Sequence, residues 1–147
     1  MATHPVVGVW RNTIDLGDGI TFPSLSLFHA DGTYVEVLPD GGILLGAWQP
    51  TGERTADLTL YSHYLIDDKL ASGEERSAVE VDETGNTMTG TGTFVGLFDD
   101  GSIDIAVETA GPATRLGVLP VVPLSELVPG GTPVIPADLT GEATPTP

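Results

Sequence analysis

Cysteine is absent from the 147 residues, which removes disulfides, thiolate metal sites and thiol nucleophiles from consideration. Basic residues are scarce: Arg11, Arg54, Lys69, Arg76 and Arg115 stand against 21 Asp and Glu, for a formal net charge of -16. Nucleic-acid affinity rests on Lys and Arg displacing counterions from phosphates, so a field of this sign excludes nucleic acid as a partner. No stretch approaches the roughly 20 unbroken apolar residues of a spanning helix, so no membrane insertion is expected. The N-terminal Met1-Ala2-Thr3-His4-Pro5 lacks the basic and apolar regions of a leader. The expected location is therefore cytoplasmic, or secreted or periplasmic if a leader was removed.

Several signatures of chemistry are also missing. His4, His29 and His63 have no metal-pair spacing, and the calcium-loop pattern, the Gly-x-Ser-x-Gly elbow and the phosphate loop do not occur. Gly90-Thr-Gly-Thr-Phe-Val-Gly96 superficially resembles a dinucleotide loop, but no helix follows to receive a pyrophosphate. Its glycines suit a strand that bends at a barrel corner or lets a ligand approach. The acid pairs Asp67-Asp68, Glu74-Glu75 and Asp99-Asp100 read as solvated surface rather than glycosidase carboxylates. No metal, cofactor or catalytic residue is assigned.

What the chain does contain is glycine, 19 residues of it, much in clusters such as Asp31-Gly32, Asp40-Gly-Gly42 and Asp99-Asp-Gly-Ser102. Glycine reaches positive φ freely and Asp bonds back to the local backbone, so each cluster predicts a chain reversal. Gly111-Pro112 is read the same way. Between the reversals lie alternating segments rich in β-branched and aromatic residues, which predict nine strands: 6–14, 21–30, 33–38, 43–49, 55–66, 75–81, 87–98, 103–109 and 113–118. Residues 67–76 are too polar for a helix and are expected to form a loop or a single turn. Many strands in sequence with no covering helix predict an all-β, antiparallel up-and-down barrel of about 8 or 9 strands over residues 1–119.

From Pro120 the texture changes, with seven prolines among residues 120–147. Proline cannot donate to a ladder, so 120–147 is expected to be an extended proline-rich segment and flexible tail outside the sheet. Its apolar part, 120–134, is expected to pack along the barrel or to join copies as a homo-oligomer.

Alternation suggests an apolar face of Leu25, Leu27, His29, Val35, Val37, Leu58, Leu60, Tyr64, Phe94, Phe98, Ile105 and Val107, with Asp57, Thr59, Glu80, Asp104 and Glu108 on the wet side. Leu25, Leu27, Val37, Leu60, Tyr64 and Phe94 are the candidate lining of an internal cavity. His29 is the candidate polar contact, and Tyr64 offers a hydroxyl handle.

The run Val6-Val-Gly-Val-Trp-Arg11, with its Gly8-Val9-Trp10, resembles the opening of lipocalin-like (calycin-type) barrels. Phe28-His-Ala-Asp-Gly-Thr-Tyr34 resembles a strand–turn–strand unit of bacterial lipocalin-like domains. The resemblance covers residues 5 to 119. It implies that Trp10 plugs one barrel end and that Arg115 crosses its face as a cation–π partner. Three functions remain open at this stage: a container for a small, mainly apolar molecule, a cofactor-free isomerase or cyclase, and a solid barrel acting as an interaction domain.

Overall fold

A computed structural model describes residues 4–119; the expectations for segment 120–147 lie outside the described residues. There are eight strands: β1 (Gly8–Asp15), β2 (Thr21–Phe28), β3 (Thr33–Val37), β4 (Ile43–Pro50), β5 (Thr55–Ile66), β6 (Lys69–Val81), β7 (Thr87–Phe98) and β8 (Ile103–Arg115). Each pairs antiparallel with the next, and β8 returns to β1, so the ring is a closed up-and-down barrel.

The structure differs from the sequence reading in two places, of which the second reduces nine strands to eight. Residues 67–76 are not a loop: Asp67 and Asp68 take φ of 49° and 62°, which makes a two-residue hairpin with both central residues left-handed. The rest of that stretch is β6. Gly111-Pro112 is not a reversal either, and lies inside β8. Pro112 is accommodated because the β1–β8 register has no partners between Asn12↔Ala113 and Asp15↔Ala110, so a missing N–H costs no ladder bond there.

Turn length decides which residues face inward. Directly opposed residues of an antiparallel pair share a face. Five residues separate the last partners Asp15↔Thr21, Phe28↔Tyr34, Val37↔Ile43 and Pro50↔Ala56, and an odd spacing keeps the same parity across each turn. With Trp10 fully buried, even-numbered residues therefore point inward through β5. Ile66↔Lys69 encloses two residues and Val81↔Met88 encloses six; each even spacing switches the parity. The inner set becomes odd in β6, even in β7 and, by the pairing Phe94↔Val107, odd in β8.

The well-packed core occupies the half of the barrel nearest Trp10, with Val6, Phe28, Tyr34, Leu58, Leu60, Val81, Met88 and Ala113. Trp10 Nε1 donates to Val6 O at 2.8 Å. Arg115, its β8 partner, lies with its guanidinium 4.2 Å from the indole centroid, a cation–π stack. The same guanidinium donates to the carbonyls of Val7 (2.8 Å), Pro5 and Gly85 (2.5 Å). It therefore ties the N-terminal lead to the β6–β7 turn, and desolvation lowers its pKa. Gly8 has φ +144°, and a Cβ there would collide with Arg115 Nη1, so only glycine lets the guanidinium reach the lead.

Many of the carboxylates are employed in the turns. Asp15, Asp31, Asp40 and Asp100 each accept from the backbone N–H two residues on, at 2.7 to 2.9 Å, as Asx turns do.

Removing the plug should expose how much closure depends on it. Trp10→Ala is expected to cost about 3–5 kcal/mol by cavity formation. Arg115→Lys, which keeps the charge but loses the planar fork, is expected to cost about 1–3 kcal/mol. Urea unfolding of both variants measures this; midpoints equal to that of the parent would show that the plug is not a stability determinant.

Candidate functional site

The inward positions of β1, β2 and β3 are polar. Asn12, Ser24, Ser26, Tyr34 and Glu36 meet inside the barrel, joined from the opposite wall by Glu75, Ser77 and Thr109. Glu36 is 3% exposed and is surrounded by donors: Ser24 Oγ and Asn12 Nδ2 (3.3 Å) on one oxygen, Tyr34 Oη on the other at 2.9 Å. Glu75 Oε1 accepts from Ser77 Oγ (2.6 Å) and Thr109 Oγ1 (3.1 Å). Asn12 completes the set by donating to Ser24 Oγ at 2.9 Å and accepting from Ser26 Oγ at 3.3 Å. Among the described residues every buried side-chain polar atom has a partner, which is the condition for tolerating such groups in a core.

Burial disfavours the charged form of Glu36 and raises its pKa above the ordinary 4.5, against the lowering effect of the Ser24 and Tyr34 hydrogen bonds and with a further rise from the charge of Glu75. Desolvation likewise holds the Tyr34 hydroxyl well above its ordinary value, reinforced by Glu36.

Beside this network lies a cavity of about 70 Å³. Its wall combines the polar atoms of Asn12, Tyr34, Glu36 and Glu75 with the apolar side chains of Phe28, Leu58, Leu60, Val79 and Met88. No Lys, Arg or His lines it among the described residues.

Of the residues chosen from sequence, Leu60 lines the cavity. Tyr64 and Phe94 point inward beyond it, toward the end away from Trp10, with ring centroids 6.4 Å apart. The Tyr64 hydroxyl sits over Gly96, where a Cβ could not fit, and donates to Asp104 Oδ2 at 2.9 Å. Desolvation, and then that bond to Asp104, push its pKa up to about 12. Asp104 was expected on the wet face; the irregularity between Gly96 and Leu97 shifts the β7–β8 register and re-aims it at Tyr64, as bulges do.

Four choices are corrected. Leu25, Leu27 and Val37 are 47%, 38% and 42% exposed on the outer surface, because Leu25 pairs with Arg11 and Leu27 with Val9, both outward. His29 lies in the β2–β3 turn with its ring 62% exposed, 3.1 Å from Asp31. Val35, half-buried, also points outward. The residues that sequence reasoning missed are the ones between them: Ser24, Ser26, Tyr34 and Glu36.

The pH dependence of Glu36 has a definite sign. A carboxyl with a raised folded pKa holds its proton more tightly in the folded state, so its contribution is greatest below pH 4.5 and is lost as pH climbs through the raised value. Glu36→Gln should therefore gain stability relative to the parent across that rise and not below it. Denaturant titrations at a series of pH values test this; parallel profiles for parent and variant would refute it. The turn carboxylates Asp31 and Asp82, lowered to about 2, act in the separate window below 3.8, where falling pH removes what they contribute.

Comparison with protein-family models, curated proteins and solved structures gave no match.

Proposed function

We propose that the barrel binds a small, mainly apolar molecule carrying one polar group. The observation that supports this reading best is the two-sided cavity, with Leu58, Leu60 and Met88 facing Tyr34, Glu36 and Glu75. A few convergent polar groups on an apolar wall are what orient a guest in a concave site. The cavity volume of about 70 Å³ holds a few water-sized groups. A guest of drug size needs the Tyr64–Phe94 pair to swing aside, and that end of the interior is less tightly packed: Ile14, Phe22, Phe94, Phe98 and Val107 are only half-buried.

Titration with a neutral apolar fluorophore and with phenol, followed by fluorescence and by amide chemical shifts, tests the reading. Saturable binding is expected, with shifts at Leu60 and Glu36. Tyr34→Phe should weaken phenol about tenfold, equivalent to one lost hydrogen bond of about 1.4 kcal/mol. Neither probe saturating would overturn the container.

A second reading, a cofactor-free isomerase or cyclase, is favoured by one observation, the raised pKa of Glu36 beside the Tyr34 hydroxyl. Burial that raises a carboxyl's pKa shifts it in the direction a general acid needs. For an enzyme, Glu36→Gln would keep binding and lose turnover.

A further inference from the structure

The outer surface over β2, β3 and β4 is apolar in a regular grid. Leu25↔Val37↔Ile43 forms one cross-strand row and Leu27↔Val35↔Leu45 the next. The second row continues to Val9 on β1 and to Tyr61 on β5. Strands lie about 4.8 Å apart and same-face neighbours about 7 Å along a strand, so the six side chains are contiguous. Ile43, Leu45 and Tyr61 are each more than half exposed, at 55%, 56% and 55%. Isolated exposed leucines need no explanation, but a registered block on three adjacent strands does.

We infer that this face is where two copies of the chain associate, the β2–β4 grid of one packing on the same grid of the other. Area and charge together select that occupant. The six residues expose on the order of 500 Å², at the upper end of the roughly 300–600 Å² found for the largest apolar patch on a monomer. With Val9, Arg11, Ala47 and Tyr61 as a rim the face approaches the roughly 800 Å² per partner of a standard-size interface.

Charge narrows the choice further. The chain carries -16, so two copies meeting through most surfaces would juxtapose carboxylates. The outward positions of β5, β6 and β8 include Asp57, Glu74, Glu80 and Glu108, and these flank β7 as well. In β2, β3 and β4 the single acidic residue is Glu36, which points inward. Arg11 beside Leu25 is opposite in sign to the chain as a whole, and the nearest carboxylates lie at the margins, Asp40 in the β3–β4 turn and Glu74 across from Tyr61. This is the face on which self-repulsion is least, and a two-fold contact uses the same patch on both partners.

Sedimentation equilibrium of the full chain over a wide concentration range tests the inference. A monomer–dimer equilibrium is expected that tightens as salt rises, because salt screens the repulsion between two acidic bodies and leaves apolar contact intact. Leu27→Asp with Leu45→Asp should weaken it at least about a hundredfold with an unchanged β-type circular dichroism spectrum. Should that pair fail to fold, Leu25→Thr with Ile43→Thr keeps strand propensity and is expected to weaken association about tenfold. A monomer at every concentration overturns the inference, as does a dimer that persists in the folded variants. Retention on phosphatidylcholine vesicles without self-association would also overturn it, assigning the face to a lipid surface.

Discussion

Closure of the ring between Trp10 on β1 and Arg115 on β8 is the constraint from which the remaining geometry follows. In an open sheet a strand can slip by two residues and keep its faces. In a closed barrel each strand is held on both sides, so the turn lengths around the circumference must agree with one another. Trp10 supplies the phase: its indole must be inside, because it is fully buried and hydrogen-bonded there. The odd-length connections then carry that phase unchanged through β2, β3 and β4. Polar Ser24, Ser26 and Glu36 are thereby placed inside, and apolar Leu25, Leu27 and Val37 outside.

This wall is inverted relative to what burial alone would choose. Exposing Leu25, Leu27, Val37, Ile43 and Leu45 forgoes about 25 cal/mol for each Å² left in water, while burying Glu36 incurs a desolvation cost that its donors offset only in part. The two costs fall on the same three strands, and the rest of the ring keeps apolar Leu58, Leu60, Val79, Val81 and Met88 inside. Glu75, Ser77 and Thr109 add polar groups from the opposite wall, and Leu65, Leu97 and Ile103 are exposed elsewhere. On β2, β3 and β4, however, the inversion runs through every strand, and such local inconsistency marks where a sequence serves something besides folding. Here it creates two surfaces at once, a hydrogen-bonded interior floor and an uncharged exterior face.

The strand-rich, helix-free barrel was legible because its signals are local: alternation within each segment and Asp-Gly turns between them. The turn at Asp67-Asp68 was not legible as a hairpin, since neither residue is glycine and left-handed φ at two successive aspartates is sterically uncommon. The site was harder for a different reason. Period-two alternation divides residues into two sets but does not say which set is inside, and hydrophobicity assigned Leu25, Leu27 and Val37 to the interior. The information that reverses the choice was present in the five-residue spacing to Trp10's strand, a longer-range signal than composition. In β5, where apolar and inward coincide, the same rule placed Leu58 and Leu60 correctly on the inner face.

The two ends of the barrel differ in how they can move, and that difference sets where a guest would pass. At the Trp10 end the aromatic rings interlock, Phe28 against Tyr34 at 4.6 Å and against Trp48 at 6.0 Å. Trp48 is further fixed by donation to His29 O at 2.9 Å, and Arg115 binds three carbonyls across the base. Opening that end would expose an indole and strand a guanidinium without acceptors. At the far end Tyr64 holds Phe94 in place through ring contact and one hydrogen bond to Asp104, and water can replace that bond when the ring turns outward. Breaking one replaceable bond costs far less than dismantling the plug. For the container proposed above, passage to Glu36 and Glu75 would therefore run through the Tyr64–Phe94 end rather than through the interlocked Trp10 end.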